Sequence, residues 1–426
     1  MRTEELYEHY LRSTGVTTDT RQATDGKIFF ALKGERFNGN QYAQQALDAG
    51  CALAVIDEAE FANAEQTFLV EDVLTALQEL AKYHRQQFKG KIIGLTGSNG
   101  KTTSKELIRE VLASTYPTYA TKGNLNNHIG VPLSLLEMTD NHEFAVIEMG
   151  ANAQKEIQFL STLSDPDFGY ITNIGKAHLE GFGGLEGVRK GKKELFDHLK
   201  EKNRPVFINC TDPTLLAISE GMERILYGTS VDTPEVYLLD TDPLLSIAWT
   251  HDAYTSPKVQ TQLTGEYNLN NIAAAIAMGI YFGVKPEAIN HAIAEYKPDN
   301  NRSERKQGKH NTLIMDAYNA NPTSMFNALE SFAKGQDENK LCILGDMFEL
   351  GDVADEEHRK VVALTEKLNL EAIFVGSHFA KVGNGDAFIE TTDELIERLK
   401  ANLPQQRSIL VKGSRGMRLE RAAELL

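Results

Sequence analysis

Tryptophan occurs once and cysteine three times in 426 residues. Cys51, Cys210 and Cys342 lie far apart in apolar surroundings. That spacing offers neither a disulfide framework nor a zinc site, and buried thiols are the expected reading. No apolar run reaches the ~18 residues that a membrane span needs. Met1-Arg2-Thr3-Glu4-Glu5-Leu6-Tyr7 holds no apolar signal segment. The expectation is a cytoplasmic protein with no membrane insertion. Positive charge is short as well. Lys and Arg number 44 against 60 Asp and Glu, a net charge of −16, which argues against general nucleic-acid binding. Internal repeats and low-complexity segments are missing too. Hydrophobic content of 41% and charged content of 24% fit a globular chain. Its length suggests about two or three domains.

One stretch organises the rest. Lys91-Ile92-Ile93 reads as a buried strand, and Ser104 to Leu112 as an amphipathic helix with Leu107, Ile108, Val111 and Leu112 on one face. Between them runs Gly94-Leu95-Thr96-Gly97-Ser98-Asn99-Gly100-Lys101-Thr102-Thr103. Strand, glycine-rich turn, Gly-Lys-Thr and helix form the setting of a phosphate-binding loop. Glycines let backbone N–H groups close on phosphate oxygens, and the helix N-terminus adds partial positive charge. Lys101 is placed to reach the β/γ-phosphates and Thr102 to offer its hydroxyl to Mg²⁺. The strict pattern is broken in one place: Leu95 stands where the first glycine belongs, flanked by Gly94 and Gly97. A tight turn with a surface lysine is the plain alternative.

Residues 1–86 read as a small α/β unit. Its strands are Lys27–Leu32 and Ala52–Ile56, a loop lies between Gly34 and Gly39, and helices run from Gln41 to Ala49 and from Val73 to Phe88. Val16–Arg21 reads as a polar loop. Residues 87–299 alternate strand and helix, the sign of a mostly parallel sheet. The buried strand Phe144–Ile147 ends at Glu148, and Phe168–Thr172 ends at Asn173-Ile174-Gly175. Ligands sit at such strand ends, so Glu148 and the Asn173–His178 loop are expected to face the phosphates. Residues 223–263 suggest an antiparallel patch, and Asn268–Gly283 a helix. Residues 300–426 return to alternation, with strands at Thr312–Met315, Leu341–Leu344, Ala372–Val375 and Ser408–Val411. The polar stretch Lys297–Arg302 reads as a hinge. Basic residues gather at Arg189-Lys190-Gly191-Lys192-Lys193. Taken alone, that run reads as a solvated helix face.

The wider motif set resembles the Mur ligase family across essentially the whole chain. It starts at Thr18-Asp19-Thr20-Arg21 and Phe29-Phe30-Ala31-Leu32-Lys33-Gly34, and ends at Lys412-Gly413-Ser414-Arg415-Gly416-Met417. Superfamily motifs are Thr96 to Thr103, Glu148, Asn173-Ile174-Gly175 with His178-Leu179, and Asn268 with Asn271, Ala274 and Ala275. The branch that adds D-alanyl-D-alanine is suggested by three further runs. These are Thr121 with Asn124, Asn126, Asn127, Gly130 and Pro132-Leu133; Asp316-Ala317-Tyr318-Asn319-Ala320-Asn321-Pro322; and Leu344-Gly345-Asp346-Met347 with Glu349-Leu350-Gly351.

The resemblance implies an α/β fold of three domains. These are a UDP-substrate-binding N-terminal domain (1–86), a central P-loop ATPase domain with a mostly parallel sheet (87–299), and a Rossmann-like ligase domain (300–426). It implies an ATP-dependent, ADP-forming ligase that joins D-Ala-D-Ala to UDP-N-acetylmuramoyl-tripeptide through an acyl phosphate, the last cytoplasmic step of peptidoglycan precursor synthesis. A monomer is expected. An anionic carboxylate must meet an anionic γ-phosphate, so catalysis is mainly positioning and charge neutralisation.

The implied roles fall as follows. Gly97, Ser98, Asn99, Gly100, Lys101, Thr102 and Thr103 hold the phosphates. Thr102, Glu148, His178 and Lys192 serve the metal, two Mg²⁺ ions in all. Lys192 carries a carbamate, with Lys193 as the alternative position. Arg189, Lys190 and Lys193 are expected to favour its neutral amine. Asn268, Asn271, Arg302 and Asp316 contact ATP, while helix N-capping is the plain reading of the two asparagines. Asn124, Asn126 and Asn127 contact the tripeptide substrate, against a plain reading as Asx turns. Asp346, Lys412 and Arg415 sit in motifs of the last domain without assigned roles. Rival readings are another ligase of the superfamily, adding one amino acid or glutamate, and a non-catalytic nucleotide switch.

Overall fold

The structure is a computed structural model of the 426-residue chain, describing residues 3–21, 24–63, 65–228, 233–298 and 302–426. The central sheet fixes the position of everything else. Its six strands lie in the order Arg224–Tyr227, Val206–Asn209, Phe168–Ile171, Lys91–Thr96, Phe144–Glu148, Thr118–Ala120. All are parallel. From Lys91–Thr96 the chain builds to one side and then crosses to the other, which opens a crevice beyond the strand C-termini. Phe144–Glu148 and Phe168–Ile171 are buried at every residue, as a parallel sheet covered on both faces requires.

On one face the helix Lys101–Ala113 packs against Leu269–Tyr281, with Leu107, Ile108 and Val111 sharing a core with Ile272 and Ile276. The other face is covered by Gly130–Leu136, Glu156–Ser164 and Leu185–Glu201. Glu235–Asp240 and Ser246–His251 pair antiparallel. Arg224–Tyr227, expected within that antiparallel patch, instead closes the edge of the parallel sheet beside Val206–Asn209.

The N-terminal sheet is parallel and runs Val16–Thr17, Ile28–Phe30, Leu53–Ile56, Thr67–Leu69. The expected polar loop at 16–21 thus begins as an edge strand. The loop between Gly34 and Gly39 contains a hairpin of Lys33–Gly34 with Phe37–Asn38. The helix Val73–Gln87 is capped by Asp72, whose carboxylate accepts from Thr75 N at 2.7 Å. This helix joins the N-terminal unit to the central one. Arg85 Nε donates to Ser164 O at 2.9 Å, and His84 Nε2 meets Met138 O at 3.0 Å. Tyr10 Oη donates to Leu136 O at 2.6 Å.

The last sheet runs Glu304–Gln307, Thr312–Asp316, Ser408–Lys412, Lys340–Gly345, Glu371–Val375, Phe388–Ile389. Only its first pair is antiparallel. Half of the expected hinge, residues 299–301, lies outside the described residues. This unit touches the central one through Lys176 Nζ on Glu357 Oε1 (2.7 Å) and Lys176 N on Thr323 Oγ1 (3.2 Å). Among the described residues, no helix is long and apolar enough to cross a membrane. Cys51, Cys210 and Cys342 are free thiols, the first and third buried.

Candidate active site

The strand Lys91–Thr96 delivers the chain to a turn that only glycine allows at two points. Gly97 has φ +144°, and a Cβ there would lie 1.9 Å from Thr172 Oγ1. Gly100 has φ +76° immediately before the helix, and a Cβ there would lie 2.7 Å from Asn271 Oδ1. Gly97 therefore takes the part of the displaced first glycine, and Gly94 stays within the strand, paired with Gly169 and Ile147.

The neighbouring strand end braces the loop. Ser98 N donates to Asn173 O at 3.0 Å, Asn99 N to Asn173 Oδ1 at 3.1 Å, and Thr172 Oγ1 to Asn99 O at 2.6 Å. Lys101 Nζ folds back onto Gly97 O at 2.8 Å. Burial pushes this ammonium down from its ordinary value, and the Glu148 carboxylate opposes the shift.

Glu148 stands at the end of its strand with 1% of its surface exposed. Thr102 Oγ1 donates to its Oε2 at 2.9 Å and Asn126 Nδ2 to its Oε1 at 2.8 Å. Its backbone N donates to Thr121 Oγ1 at 3.0 Å. A hydroxyl and a carboxylate, both hard oxygen donors, thus meet at the first turn of the phosphate-loop helix.

Lys192 is 1% exposed, and its Nζ has no hydrogen-bond partner among the described residues. It lies 5.3 Å over the Phe182 ring. Burial drives this amine well below its ordinary value, Lys101 adds to the shift, and Glu156, Glu194 and Glu148 oppose it. The push toward a neutral amine expected from the sequence therefore has a different cause, burial first. Residues one and two positions away on a helix leave by other faces. Arg189 pairs with Glu186 and Lys193 with Asp197. The solvated-face reading holds for Arg189 and Lys190, which are exposed, and fails for Lys192.

His178 has φ +52°, and its Nδ1 contacts Glu349 Oε2 of the last domain. His178 holds the Glu349 carboxyl below its ordinary value. Glu349 has φ +62°, so two non-glycine residues in left-handed conformation face each other across the domain junction.

The asparagines divide in function. Asn268 does not cap its helix by side chain; its Nδ2 donates to Thr264 O at 2.8 Å. Asn271 Nδ2 donates to Asn268 Oδ1 at 2.8 Å, and its Oδ1 accepts from Ser104 Oγ at 2.9 Å. Asn127 is committed to a turn, its Oδ1 accepting from Gly130 N at 2.8 Å. Asn124 is exposed.

From the last domain, the Arg302 guanidinium stacks 3.5 Å from the Tyr318 ring centroid. Asp316 Oδ2 accepts from Lys412 Nζ at 2.5 Å. That pair is in register on adjacent parallel strands. Asp346 accepts from His378 N at 2.9 Å and Phe379 N at 3.0 Å, so it anchors a helix rather than facing the cleft. Asn321 Nδ2 reaches the phosphate loop itself, donating to Asn99 Oδ1 at 2.7 Å.

Most of these residues line one cleft of about 1220 Å³ between the central and last sheets. Every site residue expected from the sequence lines it except Gly97 and Lys192. The sequence placed Lys412 and Asn321 in motifs without roles of their own, and offered no functional reading of Lys105. The aligned strand ends at Asp316 and Lys412 held the signal for one of them; burial, invisible in the sequence, marks Lys105.

Family models match along the chain: the Mur ligase family catalytic domain at residues 12–88, the Mur ligase middle domain at 95–279 and the Mur ligase glutamate ligase domain at 301–415. The chain is 38% identical over 430 residues to the UDP-N-acetylmuramoyl-tripeptide–D-alanyl-D-alanine ligase of Bacillus subtilis (strain 168), covering 95% of this chain and 91% of the relative. It is 35% identical over 423 residues to the Escherichia coli (strain K12) enzyme of the same name, covering 96% and 93%. Among solved structures it superposes on MurF from Acinetobacter baumannii with a TM-score of 0.84, 32% identity and coverage of 99% and 97%. MurF ligase from Thermotoga maritima in complex with ADP gives 0.83, 26% identity and coverage of 98% and 97%.

Proposed function

The chain belongs to the Mur ligase family, and from that premise we propose its chemistry in full. It is an ATP-dependent, ADP-forming ligase that joins D-Ala-D-Ala to UDP-N-acetylmuramoyl-tripeptide, as its relatives of that name do. The observation that carries the reading is the convergence on one cleft of the phosphate loop, Glu148 and the Asp316–Pro322 segment, with Asn321 bonded to Asn99. ATP phosphorylates the tripeptide carboxylate, the dipeptide amine attacks the resulting acyl phosphate, and phosphate leaves.

Each residue takes its part from its surroundings. The loop amides of residues 97–103 and Lys101 hold the phosphates, and Lys101 must swing off Gly97 O to do so. Thr102 and Glu148 fit a Mg²⁺ ion, which takes oxygen ligands, and a second ion would engage His178. Glu349 on one ring nitrogen leaves the other free for a ligand. Bound Mg²⁺ supplies neutralisation of phosphate charge. The orphaned amine of Lys192, which burial drives toward its neutral form, fits carbamylation, because CO₂ adds to a neutral amine. Asn268, Asn271, Arg302 and Asp316 bind ATP, with Lys412 holding Asp316 in place. Asn124 and Asn126 face the tripeptide, and Asn127 shapes their turn. The domain division is 1–86, 87–299 and 300–426, and the enzyme acts as a cytoplasmic monomer.

The test is ADP formation with Mg-ATP, UDP-muramoyl tripeptide and D-Ala-D-Ala, omitting each in turn. Turnover that requires all three, with a pentapeptide product, is the expected outcome. Hydrolysis indifferent to the dipeptide would overturn the reading.

A further inference from the structure

Lys105 is the fourth residue after Lys101 on the phosphate-loop helix, and it has no exposed surface. Its Nζ donates to Thr121 O at 2.5 Å and lies 3.5 Å from Gly123 O. It stands 3.0 Å from Glu106 Oε1 and 3.8 Å from Glu148 Oε2. A methionine of similar length would fill the space without an ammonium to desolvate, so burying this charge serves something other than packing.

What it joins is specific. Thr102 and Lys105, three positions apart, leave the helix on one face. Thr102 bonds one oxygen of Glu148, and Lys105 sits behind the same oxygen. The other oxygen is held by Asn126, from the loop whose earlier carbonyls Lys105 grips. Thr121 Oγ1, in that same loop, accepts from Glu148 N. Helix, loop and strand end thus form a closed ring, and Lys105 is the member that touches both the loop backbone and Glu148.

We propose that Lys105 is a positioning residue that ties the loop at residues 121–127 to Glu148 and the phosphate loop, so that the tripeptide and nucleotide sites keep one geometry. This rests on the assignment of Asn124 and Asn126 to the tripeptide. Lys105 touches neither substrate; it acts through the loop carbonyls and through Glu148.

The experiment compares wild type with Lys105→Met and Lys105→Gln by steady-state kinetics and by hydrogen exchange of the substrate-free protein. Loss of charged hydrogen bonds of this kind corresponds to roughly tenfold to a hundredfold in an equilibrium. The expected result is a rise of that order in KM for the UDP-tripeptide and faster amide exchange confined to residues 121–127. KM for D-Ala-D-Ala stays within about twofold. A variant that loses only folded fraction, with all Michaelis constants and the loop's exchange unchanged, overturns the proposal. Should Lys105→Met not fold, Lys105→Gln, which keeps a donor, decides by the same two readouts. A wild-type enzyme that turns over no UDP-tripeptide would strike the functional reading instead. Exchange at 121–127 would still judge the tether, and unchanged exchange in the variants would overturn it.

Discussion

At the scale of single residues, two lysines with similar names do opposite things with charge. In the proposed role Lys101 has to remain an ammonium to neutralise phosphate, and the Glu148 carboxylate opposes the downward shift that burial imposes on it. Replacing it, as in Lys101→Ala, should lower kcat by about 10²–10³-fold, the usual cost of losing a preorganised charge at a transition state. Thermal denaturation should show the variant still folded, and near-normal turnover would refute the phosphate-loop assignment. Under the proposed carbamylation, Lys192 gains from being neutral, because only the free amine accepts CO₂. Lys192→Ala should lose more than the roughly 10–100-fold that a missing outer-shell metal partner costs. Formate or acetate at millimolar concentration should restore part of the activity by supplying the lost carboxylate. Full activity without additive would exclude the carbamate. The sequence pointed to both lysines by motif. It could not show that Lys192 turns inward while Lys193 pairs with Asp197, because that depends on the rotation of the helix against its neighbours. Asp346 shows the converse. Its motif marked it, yet burial and two backbone N–H bonds make it a helix anchor.

At the scale of elements, the sequence was most legible where a strand runs into a glycine turn. The strand Lys91–Thr96, the helix Lys101–Ala113 and the strand ending at Glu148 follow directly from apolar runs and their punctuation. Legibility failed where elements are short and stabilised by neighbours. Val16–Thr17 has two residues and exists because Ile28–Phe29 pairs with it. Arg224–Tyr227 carries an exposed leucine and looks like part of the antiparallel patch until Val206–Asn209 takes it as an edge. The turn of the phosphate loop itself is testable. Gly97→Ala places a methyl group 1.9 Å from Thr172 Oγ1 in a backbone conformation that alanine avoids. Either the loop shifts or Thr172 lets go of Asn99. A cost of about 1–3 kcal/mol from the strained backbone is expected, read as a lower Tm. ADP binding by calorimetry should fall with it. An unchanged ADP affinity would show that the loop's conformation in this structure is not the one that holds phosphate.

At the scale of the whole molecule, the N-terminal unit is fastened by a helix whose last turn carries a buried histidine. His84 Nε2 faces Met138 O, so this nitrogen carries the proton, and Nδ1 accepts from Tyr7 Oη at 3.1 Å. Burial lowers its pKa from the ordinary value of 6.5, while the Met138 carbonyl and Asp140 oppose the shift. The sign follows from linkage. The unfolded chain takes up its proton first as pH falls, so the stabilisation by neutral His84 is full above the unfolded value of ~6.5 and is lost below it. His142, His198 and His358 shift in the same direction, so the total slope belongs to all of them. The difference between wild type and His84→Gln isolates one. Glutamine offers a donor for Met138 O but cannot titrate. Its Tm should fall less steeply than that of wild type between pH 7 and pH 5.5, with the two curves converging at the acid end. Parallel curves across that range would mean that the helix Val73–Gln87 holds the N-terminal unit without help from this charge state. The fastening would then rest on Arg85 and the buried Leu77 and Leu80.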